Sequence, residues 1–360
     1  MEVFGCTTRV VSGRGVLDVL GTLGAKRCFV VSDPYFEKNG WAEKIAALTR
    51  AEKWEIFADV MPDPTVTLAA EGAGRMKAFG PDLVVALGGG SAMDCAKAVN
   101  YFSGCGCPLV AIPTSSGSGS EVTDFAILTH EGVKHPLVDE KLVPGMAILE
   151  EELLQSLPRS LIADSGFDVI CHALEAGAAT GAGTVSGCLA REALALALEN
   201  LGKSWNGELR ARLPMHQAAT MAGMAFSQAG LGLCHALAHA LGGAFHVPHG
   251  RLNAILLPAV LRCNASAAQA AYARMARAAG IQAASDTMAL RQLMNTLIRL
   301  RRELQLPETL TQAGVEPGAL REKENALVAA AMEDPCCKTN PLRVDENMVR
   351  MVLREVAGNG

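Results

Sequence analysis

The chain has 360 residues, of which 50% are hydrophobic and 19% charged, and its formal net charge is −5. That much apolar material excludes intrinsic disorder, and the length exceeds what one hydrophobic core organises well, so two domains are expected. The acidic balance gives no footprint for nucleic acid; the one dense basic run, Arg299, Arg301 and Arg302, falls in a helical pattern and reads as a solvated face.

From the start, Met1-Glu2-Val3-Phe4-Gly5 has neither the basic residues nor the apolar stretch of a signal peptide. No apolar run approaches the roughly 18 residues of a membrane span. Strand-like runs at 27–32, 54–60, 83–87 and 109–112 alternate with helical patterns at 42–50, 68–79 and 92–102. This βαβ rhythm predicts a parallel sheet covered on both faces. Residues 125–129 and 134–138 read as a hairpin around Glu131-Gly132. Past about Ser160 the chain turns to long Ala/Leu helical periodicity, as at 189–201, 215–228 and 288–304. The boundary is expected near Leu157-Pro158, giving an α/β domain over 1–158 and an all-helical domain over 159–360. The eleven cysteines are odd in number and scattered, and neither Cys105-Gly106-Cys107 nor Cys336-Cys337 has CxxC spacing. Reduced thiols in a cytosolic setting fit that pattern.

Two motif groups carry chemistry. Leu83–Leu87 runs into Gly88-Gly89-Gly90-Ser91 and then a helix start, the strand–turn–helix order of a phosphate cradle without the usual GxGxxG spacing. A second loop, Pro113-Thr114-Ser115-Ser116-Gly117-Ser118-Gly119-Ser120-Glu121, offers hydroxyls and glycines beyond another strand. Asp33, closing an earlier strand, is suited to an adenosine ribose and would repel a 2′-phosphate, although it also reads as a plain turn residue before Pro34. In the second half, Asp168 and His172 are four apart, as are His235 and His239, and His249 follows ten residues later. On helices each pair shares one face. One carboxylate and two or three imidazoles meeting across helices can hold a divalent first-row metal such as Fe or Zn.

These residues resemble the iron-containing (group III) alcohol dehydrogenase family over nearly the whole length. The resemblance rests on Gly88-Gly89-Gly90-Ser91-x-x-Asp94-x-Ala96-Lys97, the 113–123 loop, Gly166-Phe167-Asp168 with His172-Ala173-Leu174-Glu175-Ala176, and Gly230-Leu231-Gly232-Leu233-Cys234-His235 through Pro248-His249-Gly250. It implies a Rossmann-like dinucleotide-binding α/β domain followed by an all-α domain, the architecture shared with dehydroquinate synthase. It implies Asp168, His172, His235 and His249 as metal ligands, with His239 beside the nicotinamide as the candidate proton relay. Cofactor contacts are implied at Asp33, Gly89, Gly90, Thr114, Ser115, Ser118, Thr123 and Lys134. Ser91, Asp94 and Gly117 of the same turns are counted with them. Phe226 matches an aromatic beside the substrate.

Fe²⁺ is the metal the resemblance implies, while the ligand set alone leaves Zn²⁺ open; NAD(H) is the implied dinucleotide. Within the family the match is to a branch of propanediol-using bacterial microcompartments. That implies propanal and 1-propanol as the substrate pair, a cytoplasmic or encapsulated protein, shell proteins as partners, and a homodimer or larger homo-oligomer. No nucleic-acid or membrane partner is expected. Lactaldehyde, diol or glycerol-type oxidation on the same fold is the alternative; a non-catalytic microcompartment-associated protein is more distant. A dehydroquinate synthase-like lyase would need Lys and Arg around an anionic substrate, which these apolar helices lack. Three departures from the family stand out. Ser115 and Ser118 replace threonines, Phe167 replaces a smaller apolar residue, and Gly177 replaces an aromatic, either leaving volume unfilled or ending the helix early.

Overall fold

The computed structural model describes residues 2–358, which form two compact units, Gly5–Leu157 and residues 158–358 with 2–4. In the first unit the strands are β1 (Arg9–Gly13), β2 (Arg27–Ser32), β3 (Lys53–Phe57), β4 (Leu83–Gly88), β5 (Leu109–Pro113), β6 (Phe125–His130), β7 (Val133–Val138) and β8 (Met146–Glu150). Its helices are α1 (Pro34–Lys38), α2 (Trp41–Leu48), α3 (Val66–Phe79) and α4 (Gly90–Ser103). Six strands form one parallel sheet in the order β1-β8-β5-β4-β2-β3.

Alternate residues of the central strands serve opposite faces. Cys28, Val30, Val85 and Ile112 pack with Ala42 and Ile45 of α2. Phe29, Val31, Val84 and Ala86 pack with Met76 of α3 and Ala96 and Val99 of α4. Burial on both faces explains why these strands are continuous apolar runs. β6 and β7 pair antiparallel, and their turn carries φ of 50° at Glu131 and 78° at Gly132, as a two-residue hairpin turn requires.

The sheet is wider than the sequence rhythm predicts. β1 was not expected because it is a half-exposed edge strand with polar residues, and β8 because its five residues sit between Pro144-Gly145 and an acidic run. β3 also stops at Phe57, three residues short of the expected end.

The second unit contains α5 (Arg159–Ala178), α6 (Thr184–Trp205), α7 (Arg212–Ala229), α8 (Leu233–Phe245), α9 (His249–Ala278), α10 (Asp286–Glu303), α11 (Pro317–Glu333) and α12 (Glu346–Ala357). α5 is central, packing on α6, α7 and α9. Its close neighbours depend on glycine. A Cβ at Gly250 would overlap the Asp164 carbonyl, so glycine lets the first turn of α9 rest on the α5 backbone one turn before Asp168. Gly177 neither leaves a void nor stops the helix at once: Met275 of α9 occupies the space, and α5 runs one residue further.

One surface reading is corrected. Arg299 and Arg302 are exposed, but Arg301 is buried, donating to the Ala254 carbonyl at 3.3 Å and pairing with Glu308 at 3.5 Å. All eleven cysteines are free. Among the described residues no helix is long and apolar enough to cross a membrane.

Candidate metal and dinucleotide sites

Three helices deliver the histidines. On α5, Asp168 and His172 lie a turn apart and buried; α8 brings His235, and α9 begins with His249. The Asp168 Oδ1 atom is 3.6 Å from His235 Nε2, 3.5 Å from His249 Nε2 and 3.9 Å from His172 Nε2. Donor atoms of Asp168, His235 and His249 all lie within 4.8 Å of one another. An ion about 2.1 Å from each of two tetrahedral ligands holds them about 3.4 Å apart, so this donor set fits a small divalent cation. The His172 ring is stacked between His235 (4.5 Å between centroids) and Phe226 (4.4 Å). Phe226, expected beside the substrate, is only 4% exposed; its visible partner is the imidazole, and little surface is left for a ligand.

The electrostatics suit a cation. Burial raises the Asp168 carboxyl, but the imidazoles of His172, His249 and His235 outweigh it and hold the group well below the usual carboxylate range. Burial lowers His235, yet its hydrogen bonds with Asp168 and Glu175 push it up to about 10. His249 is driven the other way, chiefly by burial. Two buried carboxylates therefore attract positive charge that a proton or a metal ion can supply.

Three residues at this site had no role in the sequence reading, although Glu175 lies inside one of its motifs. Glu175, 4% exposed, accepts from His235 Nδ1 at 2.6 Å. Asn253 donates its amide N–H to Asp168 Oδ1 at 2.7 Å, with His249 Nε2 3.2 Å from the same nitrogen. Glu175 is seven residues after Asp168, and Asn253 four after His249, so helical spacing held a signal for both. Asp334, which binds His239 Nδ1 at 2.8 Å, lies 95 residues away and gave none. His239 itself stacks on His249 (5.2 Å) and keeps about a third of its side chain exposed. Burial raises Asp334, but hydrogen bonds from His239 and the Cys336 N–H prevail and hold it at about 2.

In the sheet unit, the chain leaves β2 toward β3 at one edge and β4 toward β5 at the other, so β2 and β4 flank the point where the strand order reverses. Open parallel sheets bind ligands at the carboxyl ends of such strands. Here those ends carry Asp33 and Gly88–Gly90. Gly88 has φ of +148°, and a Cβ there would come 2.6 Å from Ala92 Cβ, so the turn admits no side chain. Ser115 and Ser118 press against Gly89 and Gly90, leaving about 3.2 and 3.1 Å for a Cβ. Asp33 is the turn residue its sequence context offers, with one oxygen to spare. Its Oδ1 caps α1 by accepting from Tyr35 and Phe36 N–H, and its Oδ2 faces Gly88.

Deeper in, Asp94 accepts from Ser120 Oγ and from Ile127 N–H, so one oxygen braces the second loop and the other ties it to β6. Lys97, 1% exposed, donates to Ser120, Thr123 and the Phe125 carbonyl. Thr123, expected to touch the cofactor, has no exposed surface and spends its hydroxyl on Lys97; it supports the loop from behind. Lys134 pairs with Asp63 at 2.6 Å. Gly90, Ser91, Ser115 and Ser118 remain partly accessible, while Gly117 and Thr114 are buried.

Residues 7–151 match the iron-containing alcohol dehydrogenase family, and residues 162–357 match the C-terminal part of the Fe-containing alcohol dehydrogenase family. The chain is 40% identical to the 1-propanol dehydrogenase PduQ of Citrobacter freundii over 99% of this chain and all of that protein. It is 32% identical to the NADPH-dependent butanol dehydrogenase of Clostridium saccharobutylicum, over 95% of this chain and 94% of that protein. A crystal structure of a 1,3-propanediol oxidoreductase superposes with a TM-score of 0.93 at 29% identity, covering 99% of this chain and all of that one. The chain belongs to the iron-containing alcohol dehydrogenase family. It is an NAD-dependent oxidoreductase that moves hydride between an alcohol carbon and a nicotinamide.

Proposed function

We propose that the protein interconverts a short-chain aldehyde and its primary alcohol, with propanal and 1-propanol the favoured pair, using NAD(H) and a divalent cation held by Asp168, His172, His235 and His249. The observation that carries this reading is the convergence of three imidazole nitrogens within 3.5–3.9 Å of one carboxylate oxygen. Asp168, His172, His235 and His249 would hold Fe²⁺, which would supply Lewis-acid polarisation for loss of the alcohol proton and for hydride attack on the aldehyde. Asp168 supplies the negative charge that keeps the cation in place, and Phe226 keeps the His172 ring from turning. With its Nδ1 side engaged by Asp334, His239 has Nε2 left to pass a proton to or from the substrate oxygen through water.

For the dinucleotide, the Gly88–Gly90 turn and the first N–H groups of α4 would receive the pyrophosphate. Gly117, Thr114, Ser115, Ser118 and Ser91 would shape its bed, with Asp94 and Thr123 holding that bed from below and Lys134 at its hairpin border. Asp33 Oδ2 would accept from a ribose hydroxyl and repel a 2′-phosphate, which favours NAD(H) over the NADPH named for the butanol-active relative. The substrate choice follows the 1-propanol dehydrogenase relative. The likeness also suggests a cytoplasmic homodimer or larger homo-oligomer that works with shell proteins inside a microcompartment.

The deciding assay, after anaerobic Fe²⁺ loading, follows NADH consumption with two- to four-carbon aldehydes and lactaldehyde, and NAD⁺ reduction with 1-propanol and glycerol. Propanal should give the highest kcat/KM. Preference for lactaldehyde or glycerol would move the assignment to the diol reading, and no turnover of any of them would remove it.

A further inference from the structure

Glu175 is a buried carboxylate with an unusual set of partners, all at the entry to α8. Its Oε2 accepts from His235 Nδ1 at 2.6 Å, from Gly232 N–H at 3.1 Å and from His235 N–H at 3.3 Å, and its Oε1 accepts from Cys234 N–H at 2.7 Å. The N-cap residue of α8 is Gly232, which has no side chain to cap with. Its missing Cβ matters, because one would fall 2.8 Å from Glu175 Oε1. A neighbouring helix thus caps α8, placing negative charge where a helix start favours it.

The same carboxylate settles the chemistry of His235. A carboxylate only accepts, so the ring must present N–H at Nδ1. Nε2 is then the nitrogen that faces Asp168, at 3.6 Å, and it can exchange its proton for a cation without disturbing the Glu175 bond. Asp168, His172 and Glu175 lie at i, i+4 and i+7 of α5, so one helix face supplies two donors and also orients the third.

We infer that Glu175 is a positioning residue: it fixes the His235 ring with Nε2 toward the cation and pins the first turn of α8, and thereby sets metal affinity without touching substrate. This rests on the metal-centred reading above. In Glu175→Gln, one amide oxygen cannot replace two carboxylate oxygens, and its NH₂ must face either His235 Nδ1–H or backbone N–H groups.

The test measures Co²⁺ affinity by chelator competition on full-length wild type, Glu175→Gln, Glu175→Asp and His235→Ala, each checked for native circular dichroism. Glu175→Gln should bind about 10- to 100-fold more weakly, the range for such outer partners, with a shifted Co²⁺ ligand-field spectrum and partial recovery in Glu175→Asp. Affinity within about threefold of wild type and an unchanged spectrum would overturn the proposal alone. Wild type that takes up no Co²⁺, or His235→Ala that binds like wild type, would overturn the metal reading and this proposal with it. Should Glu175→Gln not fold, Zn²⁺-loaded wild type still decides. Its His235 Nδ1 proton should appear downfield and exchange slowly, and a proton exchanging at the solvent rate rejects the assignment.

Discussion

The helical unit and the sheet unit build their sites from different materials. Around Asp168 the work is done by side chains, with one carboxylate, four imidazoles, the buried partners Glu175 and Asn253 and the half-buried Asp334, drawn from α5, α8, α9 and the end of α11. At Gly88–Gly90 it is done by backbone, and the side chains nearby serve mainly to keep two loops pressed together. Sites made of side chains should fail one function at a time when a residue is removed. Sites made of backbone should fail when anything is added.

The sharpest way to break that contrast is to remove ligands singly. His249→Ala should weaken divalent-cation retention by at least roughly 100-fold, because it takes a donor from a set of four. His239→Ala should retain the cation nearly as wild type and lose turnover instead. Metal content after gel filtration, beside kcat, separates the two; equal metal loss in both variants would show that their roles have been wrongly divided. On the sheet side the corresponding experiment adds one methyl group. Gly88→Ala forces a Cβ against Ala92 in a backbone conformation suited to glycine, at a cost of about 1–3 kcal/mol. NADH affinity should drop while metal content stays level. An unchanged Kd for NADH would mean the turn is not the cradle.

A milder change sharpens cofactor choice. Asp33→Ala removes a helix cap worth about 1 kcal/mol and the charge facing Gly88. The kcat/KM ratio for NADPH over NADH should rise by roughly tenfold, that being the effect of losing one repulsive contact of about 1.4 kcal/mol. A ratio that does not move would leave Asp33 as a cap only.

How much of this could be read in the chain follows the same division. Asp168–His172 and His235–His239 were legible because helical spacing turns a sequence interval into a shared face. The glycine turn was legible because strand, glycine and helix start are contiguous. Glu175 and Asn253 obey the same spacing rule but sit in apolar runs where a polar residue has many explanations. Asp334 could not be found at all, since nothing local ties it to His239. Thr123 and Phe226 carry contacts their family match gave no sign of: Thr123 accepts from buried Lys97, and Phe226 stacks on His172. Edge strand β1 was invisible because half-exposed strands alternate with polar residues that resemble loop.

Lys97 yields the smallest expected effect and the most direct probe of how the sheet unit braces its loops. Burial outweighs the carboxylates of Asp94, Glu121 and Asp124 and brings its ammonium down to about 8, against about 10.4 for a free lysine. Between those values the unfolded chain binds the proton that the folded chain has released. Stability from this group therefore rises with pH across roughly 8 to 10, and is lower below that window, where folding must bury the charge. Lys97→Met has no such group. The wild-type thermal midpoint minus that of Lys97→Met should accordingly grow as pH is raised from about 8 to about 10, while contributions from the buried thiols cancel between the two proteins. A difference that shrinks instead would mean that the bonds to Ser120, Thr123 and Phe125 favour the charged form more than burial opposes it. The loop would then be held by a fixed positive charge.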